Sequence, residues 1–318
     1  MIETKRIAVV VPCYNESTQI MRVLQTIPIE VDRIYVIDDA SPDDTATIVR
    51  DYQQNDQRIE LLVHPLNQGV GGSIATGYKA ALAERMDVTV VMAGDGQMDP
   101  VDFPAIVAPV LSGRYDYAKG NRLFSGEAWE MIPRVRYLGN AMLSLLTKIA
   151  SGYWHIADSQ SGYTAISLRA LESINWDLMY KRYGQPNDLL VRLNIADMRV
   201  ADVPIRPVYG IGEKSGIRPL RMIPKLSWLL LRLFWFRMIQ KYVIRDFHPL
   251  VFFYAVGVLI GIPGMLLGIS LVIMRVIFGI PIAETSALFA ALLSIMGLQF
   301  NLFAMLFDME YNRHLKGV

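Results

Sequence analysis

Ile7-Ala8-Val9-Val10-Val11-Pro12-Cys13-Tyr14-Asn15-Glu16 is an apolar, β-branched run that stops at a proline and turns polar. A short continuous run of this kind reads as a strand buried on both faces, with a loop at its carboxyl end. The pattern recurs at residues 33–37, ending at Asp38-Asp39, at 59–63, and at 88–92, ending at Ala93-Gly94-Asp95. Helical stretches lie between these runs, at about 18–26, 43–54 and 72–85. Strand alternating with helix predicts an α/β domain, a mostly parallel sheet covered on both faces. Such sheets bind ligands beyond the carboxyl ends of their strands. The polar groups gather there: Tyr14 to Glu16, Asp38 and Asp39, Asn67 to Gly72, and Asp95 to Asp99. Further along, residues 116–120 read as another strand and 135–149 as an amphipathic helix. Polar and apolar residues then mix up to Tyr209.

The end of the chain is of another kind. Leu250 to Met274 has no charged residue in 25 positions, and Thr285 to Phe307 has none in 23. Each run exceeds the ~20 residues that a bilayer-spanning helix needs. Two transmembrane helices, about 250–274 and 285–307, are expected in place of buried core helices. Lys241 and Arg245 precede the pair and Arg313 and Lys316 follow it, while Arg275 and Glu284 lie in the connection. The positive-inside bias places both ends in the cytoplasm, and no signal-peptide apolar region precedes Ile7, so the first domain is expected there too. Gly257-x-x-x-Gly261 and Gly264-x-x-x-Gly268 permit close helix packing, within the hairpin or between subunits. From Ser215 to Arg245 there are seven basic residues and no acidic ones. Arg218, Arg221, Lys225 and Arg232 form one stripe beside Trp228, Trp235 and Phe236, which suits a helix in the headgroup region, regular from about Pro224. The expected division is 1–215 catalytic, 216–248 interfacial, and 249–318 two spans with a short cytoplasmic tail. With 31 Lys+Arg against 30 Asp+Glu, the chain has no general polyanion-binding character, and nucleic acid is not an expected partner. Cys13 is the only cysteine, so no internal disulfide can form.

An acidic set of strand ends is odd for an anionic nucleotide unless a divalent cation bridges carboxylate and phosphate. Asp95 is the leading ligand, with Gln97 or Asp99 beside it. Gly69-Val70-Gly71-Gly72 precedes a helix, so its backbone could approach a phosphate or simply start that helix. Tyr78 follows Gly77 where a P-loop needs lysine, and the glycines follow the third strand, which excludes the dinucleotide fingerprint.

Four motifs in order, Pro12-Cys13-Tyr14-Asn15-Glu16, Asp38-Asp39-Ala40-Ser41, Asn67-x-Gly69-x-Gly71 and Asp95-Gly96-Gln97-Met98-Asp99-Pro100, resemble family 2 glycosyltransferases of the GT-A, Rossmann-like fold. Gly120-Asn121-Arg122, Asp158-x-x-Ser161-Gly162-Tyr163, Val203-Pro204-Ile205 and Gly212-x-Lys214-Ser215 resemble the polyprenyl-phosphate sugar transferases within it, of the dolichol-phosphate mannose synthase and bacterial undecaprenyl-phosphate types. The resemblance implies that Pro12, Tyr14, Glu16, Asp38, Asp39, Asn67 and Gly71 bind a nucleotide-sugar. Asp95 and Gln97 would hold Mg²⁺ or Mn²⁺, although Ala93 stands where the first aspartate of the family's Asp-x-Asp motif usually is. Arg122 matches a glycine-x-arginine position. Arg122, Arg134, Arg136 and Asn140 fall where acceptor-phosphate ligands are expected. Lys214 would cover the diphosphate, and Asp188 lies near a carboxylate used as base or sugar ligand. The implied partners are a nucleotide-sugar donor, a polyprenyl phosphate, the membrane, and copies of the chain in a tetramer. Transfer to another acceptor and a non-catalytic binding role are the competing readings.

Overall fold

A computed structural model describes residues 5–124, 134–206, 208 and 219–317, apart from the side chains of 134–138, 140 and 219–222. The chain divides into two compact units, Met1–Trp235 with His314–Val318, and Phe236–Arg313.

In the first unit a seven-stranded sheet has the order β3-β2-β1-β4-β6-β5-β7. The strands are β1 Ile7–Cys13, β2 Arg33–Asp38, β3 Ile59–Val63, β4 Val88–Val91, β5 Tyr117–Asn121, β6 Thr164–Ser167 and β7 Val200–Pro204. The first four are parallel, with Cys13 level with Asp38 and Asp38 level with Val63. Antiparallel β6 sits between β4 and β5, and β7 runs parallel to β5. Two reversals across β6 leave β5 pointing the same way as β4. The loops after β1, β2, β4 and β5, and the segment entering β6, therefore share one edge.

Helices α1 Ile20–Thr26, α2 Thr45–Gln53, α3 Val70–Ala83, α4 Phe103–Leu111, α5 Arg134–Ser151, α6 Leu168–Ser173 and α7 Gln185–Ile195 connect and flank the strands. The alternate residues of β1 explain the two layers. Val9 and Val11 pack with α1 and α4, while Ala8 and Val10 pack with α3 and α6. The runs over the first four strands and over residues 116–120 all become strands, as expected. Strands β6 and β7 have no counterpart in the sequence reading. Thr-Ala-Ile-Ser and Val-Ala-Asp-Val-Pro are short and interrupted by polar residues, so neither shows a clear apolar run.

Helix α8 spans Pro219–Ile239, starting earlier than the expected Pro224. Pro219 stands at the first helical position, where a missing N–H costs nothing, and Pro224 removes only one intrahelical bond. Its Leu229 and Leu233 pack on Val191 and Ile195 of α7. Lys225, Trp228, Leu231, Arg232 and Trp235 are exposed on other faces.

In the second unit, α9 Leu250–Val276 and α10 Glu284–Tyr311 form an antiparallel hairpin, and both are long and apolar enough to cross a membrane. They are not core helices, because most of their large apolar side chains are exposed. The seam between them is built of small residues. Gly261 lies Cα to Cα against Gly297, and Gly257 and Gly264 leave room only for Asn301 and for Leu293 and Ser294. Three of the four glycines thus close the hairpin itself, and Gly268 faces open space.

A polar cluster at the base of this unit changes the reading of the basic stretch. Arg237 and Asp308 are both fully buried and paired through Nη1–Oδ1 at 2.7 Å and Nη2–Oδ2 at 2.9 Å. The Tyr242 hydroxyl donates to Asp308 Oδ1 at 2.6 Å, and Lys241 Nζ donates to Asn312 Oδ1 at 3.0 Å. Arg237 and Lys241, two of the seven basic residues of that stretch, therefore point into protein. The sequence shows their charge but neither Asp308, which pairs with Arg237, nor Asn312, which accepts from Lys241.

Candidate active site

The acidic edge is built by hydrogen bonds that carry the sheet past its strands. Asp39 N–H donates to the Cys13 carbonyl, His64 N–H to that of Asp38, and Gly94 N–H to that of Pro12. The loop after β1 is then pinned to the loop after β2. Asn15 N–H donates to Ser41 Oγ at 3.0 Å, Glu16 N–H to Thr45 Oγ1 at 3.0 Å, and Ser17 N–H to Asp43 Oδ2 at 3.0 Å. Asn15 and Ala40 take positive φ angles of 61° and 58° to make these turns. Tyr14 is half exposed beside them.

The two aspartates after β2 have different tasks. Asp39 is buried and turned to its neighbours: Oδ1 accepts from Gln68 N–H at 2.8 Å and from His64 Nδ1 at 2.7 Å, and Oδ2 accepts from Gly69 N–H at 2.7 Å. It shapes the loop before α3 as an anchor of that loop. Asp38 is also buried, accepting from Ser41 N–H through Oδ2, but its Oδ1 has no hydrogen-bond partner among the described residues. A buried acceptor without a donor is costly. Asp38 Oδ1 is therefore the atom of the pair suited to a ligand hydroxyl or N–H.

The glycine loop packs on protein. A Cβ on Gly71 would meet the Tyr180 carbonyl oxygen and lie 2.7 Å from Gln185 Cβ. Gly72 N–H donates to the Lys181 carbonyl, and Asn67 Oδ1 accepts from Arg182 Nη1 at 2.9 Å. Of the two readings of these glycines, helix start and close packing fit, and Gly71 does its packing against the 180–185 segment. Gly71→Ala is expected to lower stability by roughly 1–3 kcal/mol through overpacking, checked by thermal unfolding. An unchanged midpoint would mean that the segment yields freely.

At the turn after β4, Asp95 Oδ1 accepts from Gln97 N–H at 3.0 Å, and Asp99 caps the short helix at Pro100. Ala93 N–H points at the Met98 sulfur at 3.2 Å, and a Cβ on Gly162 would touch the end of Met98 at 3.0 Å. Burial, then the Asp95 and Asp43 charges, push the Glu16 carboxyl up to about 7. Negative charge is thus crowded where Asp95 and Gln97 could offer oxygens to a cation. Among the described residues no three His, Cys, Asp or Glu side chains group into a metal site. The residues present fit a divalent ion only if substrate oxygens complete its shell, which suits a nucleoside diphosphate.

Arg122 follows β5 on the same edge. It is separated from β4 by the width of β6, about 10 Å at two strand spacings. It is gripped by Asp158, which sequence reading placed in a motif without a role. Arg122 Nε donates to Asp158 Oδ2 at 2.8 Å and Nη2 to Oδ1 at 3.3 Å. Lys119, three residues before Arg122 and within β5, has no local signal of a role in the sequence; it is wholly buried and donates to the Ser161 carbonyl.

Asp188 has both carboxylate oxygens engaged by protein donors. It is buried in the first turn of α7, where Oδ2 accepts from Tyr180 N–H at 2.7 Å and Oδ1 from Arg192 Nε at 2.9 Å. Its local context of loop and helix start gave no sign that both oxygens would be taken. Lys214 lies outside the described residues. Arg134, Arg136 and Asn140 lie on α5, with side chains outside the described ones.

The chain belongs to glycosyl transferase family 2, which it matches over residues 8–174. It is 33% identical over 209 residues to an uncharacterized protein of Methanocaldococcus jannaschii, covering 65% of this chain and 84% of that protein. It is 29% identical to the UDP-N-acetylglucosamine–dolichyl-phosphate N-acetylglucosaminyltransferase of Methanococcus voltae, covering 64% and 86% of the two chains. It is 28% identical to the undecaprenyl-phosphate mannosyltransferase of Micrococcus luteus, covering 66% and 88%. Among solved structures, glucosyl-3-phosphoglycerate synthase from Mycobacterium tuberculosis, in complex with Mn²⁺, UDP and glucosyl-3-phosphoglycerate, superposes with a TM-score of 0.53. That match covers 73% of this chain and 80% of the other at 21% identity, a likeness in the GT-A fold.

Proposed function

We propose that this glycosyltransferase moves a sugar from a UDP- or GDP-sugar to a polyprenyl phosphate at the cytoplasmic face of a membrane. One observation supports it most: an acidic donor turn and a fixed arginine stand on one sheet edge, in a chain that ends in two membrane-length helices. The names of the Methanococcus and Micrococcus relatives point to the same acceptor class. The Mn²⁺ and UDP of the Mycobacterium structure support a metal-assisted donor site.

The nucleoside is held between Pro12, Tyr14, Asn67 and Asp38. Asp95 and Gln97 hold Mg²⁺ or Mn²⁺, which when bound would stabilise the charge of the departing diphosphate. Lys214 adds to that charge balance. A polyprenyl phosphate is largely ionised near neutral pH, with a second pKa of about 6, and needs no strong base. It does need cations to bring it beside another anion in line with the anomeric carbon. Arg122 supplies one, with Arg136, Arg134 and Asn140 of α5 as its companions. The reaction is a single displacement with inversion. Positive charge at both ends of the hairpin supports a cytoplasmic active site, with residues 1–215 as the catalytic part.

The test is a transfer assay on the full chain in detergent, with Mg²⁺ or Mn²⁺, a long-chain polyprenyl phosphate and a panel of UDP- and GDP-sugars. Glycolipid from one donor is the expected result and names the sugar. Nucleotide binding without product from any donor would sink the reading, and would favour another acceptor or a binding protein.

A further inference from the structure

Beneath the Gly120-Asn121-Arg122 turn lies a group of charges larger than a surface arginine requires. Arg122 is partly exposed, 23% by side chain, whereas its partner Asp158 is wholly buried. Besides the two-armed contact, Arg122 N–H reaches Asp158 Oδ2 at 3.3 Å and Gln160 N–H reaches Oδ1 at 3.0 Å. Behind Asp158 stand buried Lys119 and the partly buried Asp202. Asp202 Oδ2 accepts from Asn121 Nδ2 at 2.7 Å.

Burying a carboxylate this completely is expensive, and a stable fold can be had with less. A two-armed carboxylate fixes the plane and direction of a guanidinium, which a solvated arginine lacks. Burial alone would push the Asp158 carboxyl up, yet Arg122 and Lys119 together hold it below the usual range. Burial pulls the Lys119 ammonium down to about 8, with Asp158 and Asp202 pulling the other way. When an anion draws on Arg122 from outside, Lys119 remains to keep Asp158 charged, so the grip on Arg122 survives the arrival of the anion.

We propose that Asp158, backed by Lys119, is a positioning residue for the acceptor. It holds the Arg122 guanidinium in the one orientation at the sheet edge that meets a phosphate monoester. This deepens the function proposed above and rests on it.

The experiment measures KM for donor and for polyprenyl phosphate in Arg122→Ala, Asp158→Asn and the double variant. Asp158→Asn should raise acceptor KM by about tenfold or more and leave donor KM nearly unchanged, as supporting residues behind a ligand-binding group do. In the Arg122→Ala background it should add nothing, because its effect passes through Arg122. Additive effects, or donor and acceptor KM rising together, would overturn the positioning role and leave Asp158 as a structural carboxylate. If Arg122→Ala itself leaves acceptor KM unchanged, the acceptor-site reading falls and the positioning role falls with it.

Should Asp158→Asn not accumulate as folded protein, Arg122→Lys decides the matter. Lysine keeps the charge and loses the fork. A positioning role makes it as poor toward acceptor as Arg122→Ala, and near-complete recovery overturns the proposal.

Discussion

Asp95→Asn should lower the rate of sugar transfer by about 10²–10³-fold, the scale of removing one strong electrostatic contact to developing charge. Asparagine keeps an oxygen where Gln97 N–H donates, so the turn after β4 should hold its shape. What is lost is the charge. Ala93 offers a cation no side-chain oxygen, so under the proposed reading the charge of Asp95 counts for more. Its neighbour Glu16 is half-buried and has its carboxyl pushed up to about 7 by burial and by the Asp95 and Asp43 charges, so it is a poor replacement. The check is a single-turnover rate at increasing Mn²⁺, beside nucleotide binding. A metal-ligand role predicts that the variant needs more Mn²⁺ and partly recovers with it, by mass action. An unchanged rate with unchanged metal dependence would remove Asp95 from the cation site.

The half of the fold that sequence shows well is the half governed by burial. Strands β1, β2 and β4 are buried along nearly their whole length, so their residues are mostly apolar, and the polar residues that follow mark the edge where ligands bind. Strands β6 and β7 carry Thr164, Ser167 and Asp202 within or beside the sheet, and their partners come from distant segments. No local pattern reveals that. The same limit applies to the site. Asp38, Asp95 and Arg122 are legible as residue types at strand ends, but what occupies their oxygens and nitrogens is decided by pairings far along the chain. Asp158 is 36 residues from Arg122, and Arg237 is 71 from Asp308. Asp39 and Asp188 show the converse limit. Nothing in the local sequence of either shows that both its oxygens accept hydrogen bonds, Asp39 from Gln68, Gly69 and His64 and Asp188 from Tyr180 and Arg192. A carboxylate at a loop or helix start is as apt to satisfy backbone as to meet a substrate.

Asp308→Ala should destabilise the second unit by roughly 3–5 kcal/mol, the range for breaking a buried ion pair from one side. Asp308 lies in the last turns of α10, fully buried, and both of its oxygens bind the Arg237 guanidinium. With the carboxylate gone, Arg237 would keep its charge among Tyr242, Tyr254 and Asn312, none of which can balance it. The Tyr242 hydroxyl would lose its acceptor as well, leaving Asn312 Nδ2 and Arg237 Nη1 as donors with no carboxylate behind them. Replacing both partners with apolar residues of similar volume, Arg237→Met with Asp308→Leu, should recover much of the loss, since no uncompensated charge remains. The measurement is thermal unfolding of the full chain in detergent micelles for the two single variants and the double. A double variant as unstable as the sum of the singles would show two independent packing defects. A single variant within about 1 kcal/mol of the native protein, the range of exposed pairs, would show that Arg237 reaches water or headgroups once released. Full recovery in the double variant, with transfer activity retained, would assign the pair to holding the base of the hairpin and not to chemistry.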